Sequence, residues 1–226
     1  MFILGLDSSA KAASCAIFDS DNRSITAYGG INAGITHSET LMPLVESILK
    51  AAKLTLNDIG ALAVTNGPGS FTGVRIAVSV VKGMAFALEL PVYAVSALHS
   101  LAYNLYGQDC IVCAVMDARR GQFYNALFRV KNNEAVRLTE DRAIGGNELK
   151  MELQAFVNEK IIVAGDGAQL FCKESDYMCA PLQQVHQNAV SVCLAALNEK
   201  PVTSKELMPL YLRLPQAERE RNEKIT

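Results

Sequence analysis

The chain has 226 residues, of which 50% are hydrophobic and 19% are charged, and its formal net charge at pH 7 is −2. This length allows two compact domains with separate cores, and the small net charge excludes a global positive field that would gather nucleic acid. The charged fraction is below the roughly 25% of an average soluble domain, which indicates that part of the surface is covered by something else.

The first half of the chain alternates predicted strands and helices. Strands are expected at FILGLD, SCAIFD and ITAYGGIN, with polar turns between them. An amphipathic helix follows at HSETLMPLVESILKAAK, where Thr36 and Glu39 fit a capping box and Pro43 either bends the helix or marks a later start. The next predicted elements are a strand at IGALAVTN, a helix at GVRIAVSVVKGMAFAL, and a short strand at PVYAV that leads into a helix after Ser96.

The second half repeats the order of the first. Asp7 is followed eleven residues later by Phe18, and Asp117 eleven residues later by Phe128, and both pairs enclose a polar turn and a strand. Each half then continues with strands, a helix, a strand, a glycine-containing turn and a helix. We therefore predict a duplicated mixed α/β unit with a hinge near 103–109. The predicted divisions are an N-terminal domain at 1–104, a C-terminal domain at 105–208 and a charged tail at 209–226.

Two features bear on the compartment. The six cysteines do not indicate a disulfide framework in a chain of this size. Cys110 and Cys113 form a CxxC, which suits a metal or redox pair, but residues three apart on a strand point to opposite faces, so buried core cysteines are the favoured interpretation. No signal peptide pattern opens the chain, and Arg75 and Lys82 interrupt the most apolar segment. We expect a soluble cytoplasmic protein without a membrane span.

Four segments carry a resemblance to a known family. GLDSS near the start, NGPGSFTGVRI and DARRGQFYNALF resemble the TsaB family, and MPLYLR near the end resembles its closing motif. The resemblance covers essentially the whole chain and implies an actin-like, sugar-kinase-like α/β fold of two related domains. It also implies a non-catalytic scaffold without a cofactor, which assists the paralogue TsaD in threonylcarbamoyl transfer to the adenosine next to the anticodon of tRNAs that read ANN codons.

The partners follow from the same resemblance. It implies a heterodimer with TsaD, joined by the ATPase TsaE, and contact with tRNA only through the complex. A homodimer is expected when the chain is alone.

Two acidic residues lie where the actin-like superfamily positions a nucleotide. Asp7, followed by Ser8, stands after the first strand, and Asp117 stands at the equivalent place in the second half. However, SSAKAAS lacks the Gly-Thr that usually follows, and DARRG places two cations where a small turn is expected. The competing interpretation is that both aspartates cap turns between strands. An ATP-binding phosphotransferase or ATPase is therefore the alternative function, with Asp7, Ser8 and Asp117 as candidate cofactor-binding residues.

The sequence offers little for metal chemistry. TsaD-like paralogues carry an HxxxH on the helix after the strand that PVYAV matches, and Ala97 and Leu101 stand at those positions here. His37, His99 and His186 are far apart in the sequence. We predict no metal ligand and no catalytic residue, and a metallopeptidase is the least favoured alternative.

The helix predicted at 74–88 is apolar on nearly every side, although a helix that only covers a core needs one apolar face. Val74, Val78, Val81, Ala85 and Leu88 mark the face that should lie on a sheet. The turn NGPGSFTG before this helix is predicted to be structural, with Ser70 or Thr72 as the N-cap.

The remaining surface of this helix predicts a protein interface. An outward stripe, small residues beside it and the neighbouring helix together give a candidate partner surface. Its predicted members are Arg75, Ser79, Lys82, Phe86, Ala77, Val80, Gly83, Met42, Glu46 and Leu49. The occupant would be either TsaD or a second copy of the chain. The alternative is that the second domain or the tail of the same chain covers the stripe.

Overall fold

The computed structural model describes residues 1–34, 36–173 and 175–213. The strands are β1 (Phe2–Asp7), β2 (Ala13–Asp19), β3 (Ser24–Ile31), β4 (Ile59–Gly67), β5 (Val92–Ser96), β6 (Cys110–Asp117), β7 (Gln122–Lys131), β8 (Glu134–Arg137), β9 (Arg142–Gly145), β10 (Ile161–Ala164) and β11 (Met178–Cys179). The α-helices are α1 (His37–Ala52), α2 (Phe71–Leu88), α3 (Ala97–Tyr103), α4 (Gly146–Leu153), α5 (Ala168–Lys173), α6 (Leu182–Val185) and α7 (Ala189–Ala196). Short 3₁₀ helices lie at Leu56–Asp58 and Gln154–Phe156.

The two halves form two sheets with the same strand order. The first sheet runs β3-β2-β1-β4-β5, and the second runs β8-β7-β6-β10-β11, with β9 added beside β7. In each sheet the first three strands of the half are antiparallel, while the last two pair in parallel. The predicted duplication of a mixed α/β unit is therefore confirmed.

Two helices pack across the division between the halves. One face of the first sheet is covered by α1 and α2, and the other is covered by α7, which comes from the second half of the chain. Conversely, α3 from the first half packs on β6 and β7. Gly5 on β1 permits the close approach of α7, since a Cβ there would collide with the Sγ of Cys193. The domain limits at 1–104 and 105–208 remain predictions, and the packing crosses them.

The local signals around α1 and α2 had different outcomes. The Oγ of Ser70 accepts a hydrogen bond from the N–H of Gly73, so the predicted N-cap of α2 is confirmed. The capping box at Thr36 and Glu39 is wrong, because the Thr36 side chain makes no cap hydrogen bond and Glu39 bonds through its N–H to the Thr36 carbonyl. α1 begins at His37 and continues through Pro43 to Ala52.

All six cysteines lie in the described part of the chain as free thiols. Cys110 and Cys113 are both buried on β6, and burial raises the pKa of each thiol, which confirms the interpretation as core residues.

Arg75 and Lys82 interrupt α2 as expected. By length and composition, α2 is still long and apolar enough to span a membrane, which is a test that core helices of other proteins also pass.

Candidate functional site

A polar cleft lies between the two halves, where the turns after β1 and β6 come together with the N-terminus of α2. Its volume is about 590 Å³. It is lined by residues 9–11, 68–72, 116–119 and 210–213, together with His37, Tyr124 and Asp166. We call the turn at 8–12 the first turn and the turn at 118–121 the second turn.

Asp7 is buried beneath the first turn, with 1% of its surface exposed. Its Oδ1 accepts hydrogen bonds from the N–H of Ser9 at 2.8 Å and from the Ser9 hydroxyl at 2.9 Å. Its Oδ2 has no hydrogen-bond partner among the described residues. The buried hydroxyl of Thr65 lies near enough to lower the pKa of Asp7 without meeting hydrogen-bond geometry. Burial dominates and raises this pKa to about 6.

The first turn is closed by contacts with α1 and α2. The Ser8 hydroxyl donates to the Gly73 carbonyl at 2.9 Å, and the Ser70 N–H donates to the Ser9 carbonyl at 2.7 Å. The Nε2 of His37 lies 2.9 Å from the carbonyl oxygen of Ala10. The first turn therefore contacts α1 and the N-terminal end of α2 through one hydroxyl and two carbonyl groups.

The second turn is more open. The Oδ1 of Asp117 accepts from the N–H of Arg119 at 2.7 Å, as Asp7 does from Ser9, so both aspartates cap their turns. Arg119 and Arg120 have φ values of 64° and 56°, and both side chains are exposed. A role for Asp7, Ser8 and Asp117 in cofactor binding stays a prediction.

Residues 207–213, which we call the closing segment, return along α2. Leu207 is buried in the core beneath α2. The Nζ of Lys82 donates to the Leu207 carbonyl at 3.0 Å, and the N–H of Leu210 donates to the Asn66 carbonyl at 2.7 Å. Residues 209–213 of the predicted tail are thus docked on the molecule, while residues 214–226 lie outside the described residues.

The closing segment also joins α2 to the second half. The Nε of Arg75 donates to the Tyr211 hydroxyl at 2.6 Å, and its guanidinium lies 3.6 Å from the centre of the Phe71 ring. At the end of the segment, Arg213 donates to the carbonyl of Ala118 at 2.9 Å. The segment therefore runs from the surface of α2 to the second turn. Sequence reasoning identified MPLYLR as a motif and offered the tail as one alternative cover for the α2 stripe, but it gave no signal for the individual contacts.

The ten residues predicted as an interface are divided by the structure. Exposed or half-buried positions are held by Met42, Glu46, Arg75, Ser79, Val80, Lys82, Gly83 and Phe86. Leu49 and Ala77 are buried, so the prediction for these two residues is wrong. Ala77 lies three residues after Val74 and four before Val81, which places it on the helix face that packs on the sheet.

The outward stripe of α2 is partly covered by the chain's own C-terminal residues, which was the alternative to a partner protein. Arg75 and Lys82 are both engaged by the closing segment, so the chain's own C-terminal residues cover that portion of α2. Ser79, Gly83 and Phe86 stay exposed, and Phe86 is 72% exposed. The accessible apolar surface therefore shifts toward the C-terminal half of α2.

His99 is buried and makes contacts within the core. Its Nδ1 lies 3.1 Å from the Oε1 of Glu199, and its ring stacks on Phe128 with centroids 5.4 Å apart. Within residues 1–34, 36–173 and 175–213, no group of three His, Cys, Asp or Glu side chains is arranged to hold a metal ion.

Comparison with known proteins gives one consistent set of relatives. Residues 14–220 match the family model described as TsaD, tRNA N6-adenosine threonylcarbamoyltransferase. The tRNA threonylcarbamoyladenosine biosynthesis protein TsaB of Escherichia coli K12 is 30% identical over 94% of this chain and 95% of its own length. The TsaB protein of Bacillus subtilis is 39% identical over 108 residues, which is 48% of this chain and 47% of that protein.

Solved structures agree with these sequences. YeaZ from Pseudomonas aeruginosa has a TM-score of 0.78 and 28% identity, over 93% of this chain and 99% of its own. A second structure, of an uncharacterized protein with similarity to peptidase YEAZ from the same organism, has a TM-score of 0.80 and 28% identity, over 94% of this chain and 99% of its own.

Proposed function

The chain belongs to the TsaB family of tRNA threonylcarbamoyladenosine biosynthesis proteins, and from this premise we propose that it is the non-catalytic partner subunit of the transferase TsaD. A role in the biosynthesis of threonylcarbamoyladenosine in tRNA follows from the family. The proposal adds a heterodimer with TsaD, association with TsaE in the cytoplasm, a homodimer when the chain is alone, and tRNA contact within the complex.

The closure of the first turn carries the non-catalytic part of the proposal. In a nucleotide-binding cleft, backbone N–H groups and hydroxyls of such a turn cradle phosphate. Here the Ser9 N–H is used by Asp7, and the Ser8 hydroxyl is used by α2. Because these groups are occupied and the carboxylate beside them is buried, the first turn is better suited to hold α2 in place than to hold a phosphate.

The C-terminal half of α2 supports association with another protein. Phe86 presents an aromatic ring to solvent, and a Cβ at Gly83 would meet no described atom within 4 Å. A flat, small-residue position beside an exposed aromatic residue allows another helix to approach closely. Binding there would favour the TsaD conformation competent for transfer, to the extent that the two TsaD states differ in affinity for this chain.

Reconstitution tests this proposal. TsaD and TsaE from the same organism should modify tRNA slowly without this chain and rapidly with it. Phe86→Ala combined with Gly83→Arg should remove co-elution with TsaD in gel filtration, while Leu182→Ala, which truncates another exposed apolar side chain, should not. Full tRNA modification without the chain would refute the proposal, and so would undiminished TsaD binding by the folded double variant.

One observation favours the alternative of an ATP-binding protein. A cleft of about 590 Å³ lies beside Asp7, whose Oδ2 is unpaired among the described residues. Calorimetric titration of the chain with Mg·ATP separates the two functions. Tight binding by the isolated chain, together with hydrolysis, would favour the alternative.

A further inference from the structure

We propose that the mouth of the cleft binds the phosphodiester backbone of RNA through Lys11, Arg119 and Arg213. This inference rests on the proposed function, because the tRNA substrate of the complex supplies the RNA. It assigns this chain a direct contact with that substrate, in addition to its association with TsaD.

Three separate parts of the chain bring cations to one opening. Lys11 comes from the first turn, Arg119 from the second turn and Arg213 from the closing segment, and all three line the same cleft. The hydrogen bond from Arg213 to the Ala118 carbonyl fixes its guanidinium beside the second turn. An arginine has five N–H donors, so Arg213 keeps donors for an anion while it makes this contact. A chain with a net charge of −2 thus concentrates positive charge at one place.

The second turn holds its arginine in an unusual backbone conformation. Arg119, Arg120 and Gly121 have successive φ values of 64°, 56° and 71°. Non-glycine residues rarely adopt this left-handed region, and such conformations concentrate at functional sites. The hydrogen bond from the Arg119 N–H to Asp117 stabilises the turn. The turn therefore holds the exposed Arg119 side chain at the opening.

Two acidic residues, Asp117 and Asp166, line the cleft beside the three cations, so positive side chains outnumber negative ones there. Asp166 is mostly buried, its Oδ1 accepts from the Asp117 N–H, and burial raises its pKa. Asp117 is exposed, but one of its oxygens is directed to the Arg119 N–H. The remaining lining includes the hydroxyls of Ser70 and Tyr124, which can also donate to phosphate oxygens.

The geometry favours an RNA backbone over the terminal phosphates of a nucleotide. Terminal phosphates are usually held deep in a cleft by main-chain N–H groups, and the N–H groups of Ser9 and Arg119 are already bonded to Asp7 and Asp117. The available cations belong instead to long side chains at the opening. Such side chains suit a phosphodiester backbone that passes over the surface.

The test measures tRNA binding as a function of salt. Fluorescence anisotropy with unmodified tRNA compares the complex of TsaD and this chain with complexes that contain Lys11→Gln, Arg119→Gln or both. Each single variant should reduce the slope of log K against log salt by about 1, and the double variant by about 2. The matched control is Lys131→Gln, an exposed lysine at the opposite end of β7 from the second turn, and it should leave the slope unchanged.

Each outcome decides between explanations. An unchanged slope in the double variant, or an equal change in Lys131→Gln, would overturn the inference. Mg·ATP binding that is lost in Lys11→Gln and Arg119→Gln would assign the cations to a nucleotide and would also overturn it. Gel filtration of the same samples reports the complex with TsaD. If the wild-type chain never joins TsaD, the proposed function fails, whereas an intact complex with an unaltered slope refutes only the RNA contact.

Discussion

Replacing Asp7 with asparagine should increase the free energy of unfolding at neutral pH and leave it nearly unchanged below pH 4. The pKa of Asp7 is about 6 in the folded chain, against an ordinary value of 3.8. Between these values the folded protein retains a proton that the unfolded chain releases, so the free energy of unfolding decreases as the pH rises through this window. Asparagine cannot ionise, so the variant should lack that decrease.

The magnitude follows from the size of the shift. About 2 pKa units correspond to about 3 kcal/mol, at 1.36 kcal/mol per unit. The full gain is expected above pH 7, and less than half of it near pH 4.5. The new amide can keep its oxygen on the Ser9 N–H, and its NH₂ group can approach the Thr65 hydroxyl, which lacks a partner in the described structure.

Urea denaturation of both proteins at pH 4, 5, 6 and 7.5 measures the difference. Asp117→Asn is the matched control, since Asp117 makes the same turn contact while its side chain is exposed. A difference between wild type and Asp7→Asn that stays constant with pH would refute the reasoning, as would a loss of stability at neutral pH. The variant should also support TsaD-dependent tRNA modification, and a folded but inactive variant would favour the nucleotide alternative.

Three further predictions concern packing. Gly73→Ala should destabilise the protein by several kcal/mol or prevent folding, because the new Cβ would overlap the main chain of the first turn. Gly83→Ala in the same helix should instead stabilise the protein by about 1 kcal/mol. Thermal unfolding compares the two variants, and equal effects would contradict the packing. Tyr211→Phe should cost about 1 kcal/mol in urea denaturation because it removes the hydrogen bond from Arg75, and an unchanged midpoint would show that this contact adds nothing. The Cys113 thiol should resist Ellman's reagent until the chain unfolds, because burial covers it and raises its pKa. Cys172 and Cys179 are half-buried, so a variant with both replaced by serine is used, and rapid labelling of Cys113 in that native variant would show an open core.

The sequence predicted several features that depend on local pattern, although the local capping box at Thr36 and Glu39 did not form. The equal spacing from Asp7 to Phe18 and from Asp117 to Phe128 indicated the duplication, and both halves have the same strand order. Ser70 and Thr72 were the two predicted caps from their positions before an apolar helix, and the Ser70 hydroxyl accepts the cap hydrogen bond. These signals arise from residues a few positions apart, which share one turn or one strand pair.

The features that the sequence missed depend on distant residues. Arg75 and Tyr211 are 136 positions apart, and no periodic pattern relates them. The closing segment therefore changed the candidate surface of α2 in a way that helix periodicity could not indicate. Ala77 was misplaced for a different reason: a small residue fits either a partner surface or a core, and the choice depends on how α2 lies on the sheet.

The exchange of α3 and α7 between the halves has a consequence for how the chain can be divided. A fragment that ends near residue 104 would keep its first sheet but lack the helix that covers one side of it, and the complementary fragment would lack α3. Each piece would expose apolar surface that only the other can bury. Two such fragments, produced together, are expected to assemble into the native arrangement, whereas either one produced alone should aggregate.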